Sequence, residues 1–193
     1  MVSVNSTMTP LGSKAPHFSL PSVRGGIISL DNLKDKKGLL VMFICNHCPY
    51  VQHIQRGLVS LGNDYKNKDI FIVGINSNDW TSYPDDKPEA MKKIHASLGY
   101  TFPYLYDEAQ SVAQAYKAAC TPDFFLFDHN RQLVYRGQFD SSRPGNTIPV
   151  TGIDIRQAID ALLNDQVINL DQRPSIGCNI KWRKGNEPEY FKS

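Results

Sequence analysis

The stretch Leu39-Leu40-Val41-Met42-Phe43-Ile44-Cys45-Asn46-His47-Cys48 joins an unbroken apolar run to a Cys-x-x-Cys motif. A short apolar run of this kind predicts a strand buried on both faces, as in a parallel sheet. Beyond the motif, apolar residues at helical spacing predict a helix that ends near Tyr65; they are Val51, Ile54, Leu58 and Leu61. The two thiols therefore lie on a strand-to-helix turn, where unpaired backbone N–H groups and the helix dipole stabilise a thiolate. This placement predicts thiol chemistry.

Composition and charge narrow the class of protein. The 193 residues are 41% hydrophobic and 21% charged, as in a soluble globular protein. A net charge of +2 gives no support for a nucleic-acid or membrane partner. The first residues carry neither the charged nor the apolar part of a secretory signal. We therefore expect a cytoplasmic protein.

The four cysteines form one close pair and two distant singles, Cys120 and Cys178. Four are too few to build a disulfide scaffold in a chain of this length. In a reducing cytosol, this pattern favours redox or metal chemistry over structural bridges.

The predicted elements alternate between strands and helices along most of the chain. Strands are expected at 17–20, 27–30, 39–44, 69–76, 103–107, 123–127 and 133–137, and helices at 48–65, 88–98, 109–119 and 153–163. This order predicts an α/β fold with a central mixed, largely parallel sheet flanked by helices, an N-terminal β-hairpin and antiparallel edge strands. We expect a flexible segment at 1–13, one domain at 14–166, and a C-terminal extension at 167–193 packed on that domain.

With these motifs in view, the sequence resembles the thioredoxin superfamily, and within it the peroxiredoxin-like branch related to alkyl hydroperoxide reductase and thiol-specific antioxidant proteins. The resemblance implies a thioredoxin-like fold and a role in antioxidant or redox homeostasis. It covers almost the whole chain and rests on the stretches 15–20, 39–51, 76–79, 120–126, 143–146 and 175–182.

The resemblance implies a role for each residue that matches the family motif. Cys45 corresponds to the cysteine that attacks a substrate disulfide, and Cys48 to the resolving cysteine. Pro122 corresponds to a proline held in cis, beside which the backbone of Thr121 would bind an extended peptide or a mixed disulfide. We add Asn46 to the substrate-binding group. As an imidazolium, His47 would help the helix dipole to stabilise the Cys45 thiolate and would raise the reduction potential.

Two departures from the family pattern bear on mechanism. Thioredoxins carry a buried Asp where this chain has Leu39, which leaves the proton acceptor unidentified. Peroxiredoxins use Thr-x-x-Cys and a distant Arg, and Cys45 stands at the Thr position when Cys48 is aligned with the peroxidatic cysteine. These differences count against efficient peroxidase catalysis.

Three functions follow. The first is a thiol-disulfide oxidoreductase that uses the Cys45/Cys48 dithiol, acts on a protein or small-molecule disulfide and is recycled by an unidentified thiol reductant. It needs no cofactor beyond its redox-active disulfide, and no metal. The alternatives are a thiol-dependent peroxidase, and a non-catalytic or metal-binding module in which Cys120 and Cys178, or a histidine, complete a zinc site with the pair. Cys120 and Cys178 are either additional redox thiols or packed, inert residues.

Overall fold

The computed structural model describes residues 3–33 and 35–191. Its strands are β1 (Ser3–Asn5), β2 (Ser19–Pro21), β3 (Ile27–Ser29), β4 (Gly38–Phe43), β5 (Ile70–Asn76), β6 (Tyr104–Tyr106), β7 (Cys120–Thr121), β8 (Asp123–Phe127), β9 (Leu133–Gly137) and β10 (Ile176–Asn179). Its α-helices are α1 (Pro49–Tyr65), α2 (Pro88–Leu98), α3 (Ser111–Tyr116) and α4 (Ile153–Leu163). Short 3-10 turns occupy Leu30–Leu33 and Pro84–Asp86.

The central sheet has five strands in the order β6-β5-β4-β8-β9. β4 and β6 run parallel to β5, whereas β8 runs antiparallel to both β4 and β9. The sheet is therefore mixed, with its parallel strands on one side and an antiparallel hairpin at the other edge. β2 and β3 form the predicted N-terminal hairpin as a separate antiparallel pair.

β4 lies at the centre of the sheet, and all six of its residues are buried. Its alternate side chains enter two different cores, because successive residues of a strand point to opposite faces. Leu40 and Met42 pack in the core that includes α1, and Leu39 and Val41 pack in the core on the other face. The residue at the position of the thioredoxin Asp, Leu39, is thus an apolar core residue with no exposed surface.

α3 is shorter than the helix predicted at 109–119. Gln110 before it and Lys117 after it both adopt left-handed backbone conformations, with φ of 63° and 53°, so regular helix is confined between them. The chain is thereby turned toward β7 and the cis peptide that follows it.

A second, three-stranded sheet with the order β1-β10-β7 was not predicted. It joins the two ends of the chain: Ser3 pairs with Cys178, and Cys178 pairs in turn with Thr121. β1 thus lies within the segment expected to be flexible at 1–13 and is paired with β10. These strands have only two to four residues, too few to show a sequence periodicity, and their partners are distant in the chain. None of the helices in the described ranges has the length and apolarity needed to cross a lipid bilayer.

Candidate active site

The Cys-x-x-Cys motif forms the turn between β4 and α1. Cys48 is the N-cap of the helix, and Pro49 occupies the first helical position, where a missing backbone N–H costs nothing. Cys45 lies three residues earlier, outside the first helical turn. The residue that faces the positive end of the helix dipole is therefore Cys48, whereas the sequence analysis gave that position to Cys45.

Thr121 contacts both thiols of the motif. The Cys45 Sγ lies 3.2 Å from the Thr121 hydroxyl oxygen, and the Cys48 thiol donates a hydrogen bond of 3.1 Å to the Thr121 carbonyl oxygen. The predicted cis peptide is confirmed between Thr121 and Pro122. Both residues are buried.

β10 occupies the backbone edge at Thr121 that sequence analysis reserved for an extended substrate. Thr121 pairs with Cys178 and Cys120 pairs with Asn179, in antiparallel register. A Cβ atom on Gly177 would lie 2.0 Å from the Thr121 carbonyl oxygen, so only glycine allows the two strands to approach this closely. In this conformation the edge is filled by the protein's own C-terminal strand.

This pairing brings a third sulfur to the motif. The Cys178 thiol forms a hydrogen bond with the sulfur of Cys48, which also forms one with the thiol of Cys45. We call Cys45, Cys48 and Cys178 the three-thiol cluster. All three residues are buried, with exposed fractions of 2%, 0% and 3%.

The three-thiol cluster favours ionisation at its central member. The pKa of Cys48 is lowered, first by the hydrogen bond with Cys178, then by that with Cys45, and further by the backbone N–H groups of Val51 and Cys178. Together these groups outweigh burial, which acts to raise the pKa of Cys48. The pKa of Cys178 is raised, first by its hydrogen bond with Cys48 and then by burial.

The pKa of Cys45 is raised, in contrast to the prediction that it would be the activated thiol. Burial is the main cause, followed by the hydrogen bond with Cys48 and by the negative charge of Asp86. The imidazole of His47 does not reverse this, because its own charge is balanced by the same carboxylate.

Asp86 organises the motif from the loop after β5. Its buried carboxylate accepts hydrogen bonds from the Asn46 backbone N–H at 2.8 Å, from His47 Nδ1 at 2.5 Å and from Asn78 Nδ2 at 2.8 Å. We call this arrangement the Asp86 clamp. The hydrogen bond to Asp86 raises the pKa of His47. Burial acts to raise the pKa of Asp86, but the hydrogen bonds from the three donors outweigh it, so that pKa is lowered.

Asn46 is engaged inside the protein. Its side-chain amide donates to the Asp85 carbonyl oxygen at 2.6 Å, and its side-chain oxygen accepts from the Tyr104 hydroxyl at 3.2 Å. These contacts give it a role in holding the turn, and they leave its predicted substrate-binding role without support in this conformation.

Cys120 is separate from the three-thiol cluster. It is fully buried, its thiol contacts the Pro122 carbonyl oxygen at 3.5 Å, and burial raises its pKa. These properties agree with the packed, inert alternative.

The position of Asp86 in this site is not predicted by the sequence. An acidic pair just before a predicted helix indicates a helix start, and Asp86 does lie just before α2. Its second role depends on the loop folding back over the motif, where Tyr83 stacks on the His47 ring at a centroid distance of 5.0 Å. A donor atom from each of Cys45, His47 and Asp86 lies within 4.8 Å of the others, so these three residues could hold a metal ion.

Comparison with known proteins agrees with this architecture. The model of the AhpC/TSA family matches residues 11–136. The chain belongs to this family. The match ends before β10, so Cys178 lies outside the part of this AhpC/TSA protein that the family model describes.

Two relatives of similar identity to this chain carry names for different activities. The thiol-disulfide oxidoreductase ResA of Geobacillus kaustophilus is 25% identical over 127 residues, which cover 66% of this chain and 68% of ResA. The putative peroxiredoxin bcp of Coxiella burnetii is 26% identical over 106 residues, which cover 55% of this chain and 65% of that protein. The chain thus spans about two thirds of the length of these relatives.

Solved structures confirm the thioredoxin-like α/β fold. An uncharacterized conserved protein from Geobacillus kaustophilus is 55% identical and has a TM-score of 0.93. The match covers 95% of this AhpC/TSA chain and 97% of the Geobacillus chain. A hypothetical protein from Sinorhizobium meliloti is 48% identical, with a TM-score of 0.92 over 94% and 99% of the two chains. A putative thiol:disulfide interchange protein DsbE from Chlorobium tepidum shares the fold at 22% identity, with a TM-score of 0.62 over 80% and 98% of the two chains.

Proposed function

We propose that this AhpC/TSA protein is a thiol-disulfide oxidoreductase whose redox centre is the Cys45/Cys48 dithiol. The observation that carries this proposal is that both thiols contact Thr121 beside the cis peptide, with Cys48 at the N-cap of α1. In agreement with this placement, the pKa of Cys48 is lowered and that of Cys45 is raised. Disulfide exchange needs a thiolate to attack and a second thiol, held nearby, to resolve the mixed disulfide. Cys48 has the properties of the first and Cys45 those of the second.

The proposed reaction has two exchange steps. The Cys48 thiolate attacks a substrate disulfide, forms a mixed disulfide and releases the first substrate thiolate, which takes up a proton. Cys45 then loses its proton and attacks the Cys48 sulfur, which forms the Cys45–Cys48 disulfide and releases the second substrate thiol. A thiol reductant reverses these steps. The departing substrate thiolate is our candidate to take up the Cys45 proton, because the hydrogen bond to Asp86 raises the pKa of His47 and keeps a proton on its ring.

We infer that the substrate is a small-molecule disulfide. The Thr121 edge is already paired with β10, so an extended peptide has no free backbone to bind there. Both reactive thiols are also buried, which disfavours a folded protein as the partner. We propose in addition that the reaction takes place in the cytoplasm and needs no cofactor beyond the dithiol.

Oxidised glutathione is a suitable probe for this function. We expect the wild type to be oxidised to a Cys45–Cys48 disulfide and Cys48→Ser to be inert. Cys120→Ser is the matched control, because Cys120 is buried beside the motif and lies outside the three-thiol cluster. Oxidation of Cys48→Ser at the wild-type rate would contradict the proposal.

Peroxide reduction is the second candidate, favoured by the position of Cys48 at the N-cap of α1 and its lowered pKa. The Cys48 thiolate would attack one peroxide oxygen and release the other as water or an alcohol after protonation. The resulting Cys48 sulfenic acid would condense with the Cys45 thiol, which releases water and forms the same disulfide. The pKa of Cys48 is lowered by two thiols and by backbone N–H groups and raised by burial, and no arginine is among these causes.

The same variants separate the two activities. Consumption of hydrogen peroxide much faster than reduction of glutathione disulfide would favour the peroxidase, if Cys45→Ser retains it in the presence of an added thiol.

The remaining alternative is a non-catalytic, metal-binding module. Stoichiometric zinc in the purified protein, lost in His47→Ala, would favour that module.

A further inference from the structure

We propose that Cys178 is a third redox thiol, which resolves Cys48 by forming a Cys48–Cys178 disulfide. This inference rests on the proposed function, because a mixed disulfide on Cys48 is the species that Cys178 attacks. It assigns a chemical role to the C-terminal strand.

Strand pairing on both edges of β10 holds Cys178 next to Cys48. Its strand β10 is paired with β1 on one edge and with β7 on the other. The pairing with β7 sets Cys178 opposite Thr121, whose carbonyl oxygen contacts the Cys48 thiol at 3.1 Å. The closeness of β10 to β7 depends on the missing side chain of Gly177.

β10 also lies where an extended substrate would otherwise pair. A strand bound antiparallel to β7 presents the residue opposite Thr121 to the Cys-x-x-Cys turn, and that residue is a cysteine. The cysteine makes a hydrogen bond with the Cys48 sulfur. The chain thus supplies its own thiol at the position from which an incoming thiol would react.

Oxidation of Cys48 removes the main cause that holds Cys178 protonated. The pKa of Cys178 is raised mostly by its hydrogen bond to Cys48 and by the charge on that residue, with burial between these two causes in size. A mixed disulfide on Cys48 carries no charge, so both of these causes disappear. Cys178 then becomes easier to ionise at the moment when its attack is required.

The proposed step conserves atoms and electrons. The Cys178 thiol loses its proton, and its sulfur attacks the Cys48 sulfur of the mixed disulfide. The bond between Cys48 and the substrate sulfur breaks, and the substrate leaves as a thiolate that takes up a proton. The product is a Cys48–Cys178 disulfide with Cys45 still reduced. By the same exchange, Cys178 can convert a Cys45–Cys48 disulfide into Cys48–Cys178 and release Cys45 as a thiol.

The test compares four variants after treatment with oxidised glutathione: Cys45→Ser, Cys178→Ser, the double variant with both changes, and Cys120→Ser. Acid quenching, alkylation and mass spectrometry then identify the glutathione adducts and disulfides. We expect Cys45→Ser to carry a Cys48–Cys178 disulfide and the double variant to carry a stable Cys48–glutathione adduct. Cys120→Ser is expected to behave as the wild type.

Failure of the inference differs from failure of the proposed function. A stable Cys48–glutathione adduct in Cys45→Ser, equal to that in the double variant, would overturn the role of Cys178 and leave the proposed function intact. If no variant reacts with glutathione disulfide, the proposed function fails.

Direct oxidation tests whether the sulfurs of Cys48 and Cys178 can be joined without glutathione disulfide as the substrate. Diamide, which couples neighbouring thiols, is expected to join Cys48 to Cys178 in Cys45→Ser. Free thiols at both positions after this treatment would also overturn the inference, provided that circular dichroism shows the variant to be folded.

Discussion

Replacing Asp86 with Asn tests how the Asp86 clamp stabilises the motif. The carboxylate accepts three hydrogen bonds with its two oxygens, and the residue is 1% exposed. An asparagine has one acceptor oxygen and one amide group. Its amide must therefore face a donor from Asn46, His47 or Asn78.

The expected cost follows from the loss of one charge-assisted hydrogen bond, which is worth about 1.5–3 kcal/mol. Since a second donor also loses its charged partner, we expect a loss of unfolding free energy in the upper half of this range at pH 5.5. Removal of the whole group in Asp86→Ala leaves the buried donors unpaired and is expected to cost about 3–5 kcal/mol.

The loss of unfolding free energy in Asp86→Asn should be larger at mildly acidic pH than at alkaline pH. The folded-state pKa of His47 is raised, so its contribution is complete below its unfolded pKa of about 6.5 and is lost as pH rises through the folded value. The pKa of Asp86 is lowered, so its contribution is present above about pH 3.9 and is lost as pH falls through the folded value. The pair therefore stabilises most between these two limits, and Asp86→Asn should cost more at pH 5.5 than at pH 8.

Urea unfolding, followed by the fluorescence of the two tryptophans, measures the effect. Asp85→Asn is the matched control, because it makes the same change at the preceding, exposed position. Surface substitutions of this kind are expected to change stability by less than about 0.5 kcal/mol. Equal stability of the two variants at pH 5.5, or a larger cost of Asp86→Asn at pH 8, would refute the role of the Asp86 clamp.

The other predictions concern packing and exchange around the motif. Gly177→Ala puts a Cβ atom 2.0 Å from the Thr121 carbonyl oxygen, so we expect a loss of roughly 1–3 kcal/mol in unfolding free energy and faster amide exchange in β10. Thr121→Val removes the hydroxyl that lowers the pKa of Cys45. We expect stopped-flow measurement to show that the attack of Cys45 on the mixed disulfide at Cys48 is slowed about 2- to 10-fold. An unchanged rate would show that the Thr121 hydroxyl does not assist Cys45. Leu58→Ala, at a fully buried position of α1, should cost about 2.7–5 kcal/mol in urea unfolding, whereas the exposed Arg56→Ala should cost little.

Helices and strands with long, regular patterns could be predicted from sequence. α2, β8, β9 and α4 have the predicted bounds, and α1 begins one residue later than predicted. α2, β9 and α4 bury side chains at the period of their own backbone, and β8 is an apolar run buried throughout, so each signal is local. α3 shows the limit of this approach, because an alanine-rich sequence is compatible with a helix longer than the backbone at Gln110 and Lys117 allows.

The order of acidity among the thiols could not be predicted from the motif. The helix dipole and His47 predict the activated thiolate at Cys45. The structure gives the lowered pKa to Cys48, because its sulfur receives hydrogen bonds from two other thiols at the N-cap position of α1. Burial and Asp86 raise the pKa of Cys45, and both depend on residues far from it in the chain.

The sequence by itself determined the buried strand, the thiol-bearing turn and the helix after it, since each depends on residues that are neighbours in the chain. Only the tertiary structure decided which groups surround that turn. The pairing of β10 with β7 brings Cys178 to Cys48, and the loop after β5 brings Asp86 to His47. Such contacts form between residues that the whole fold must first bring together, and no local pattern of side chains encodes them.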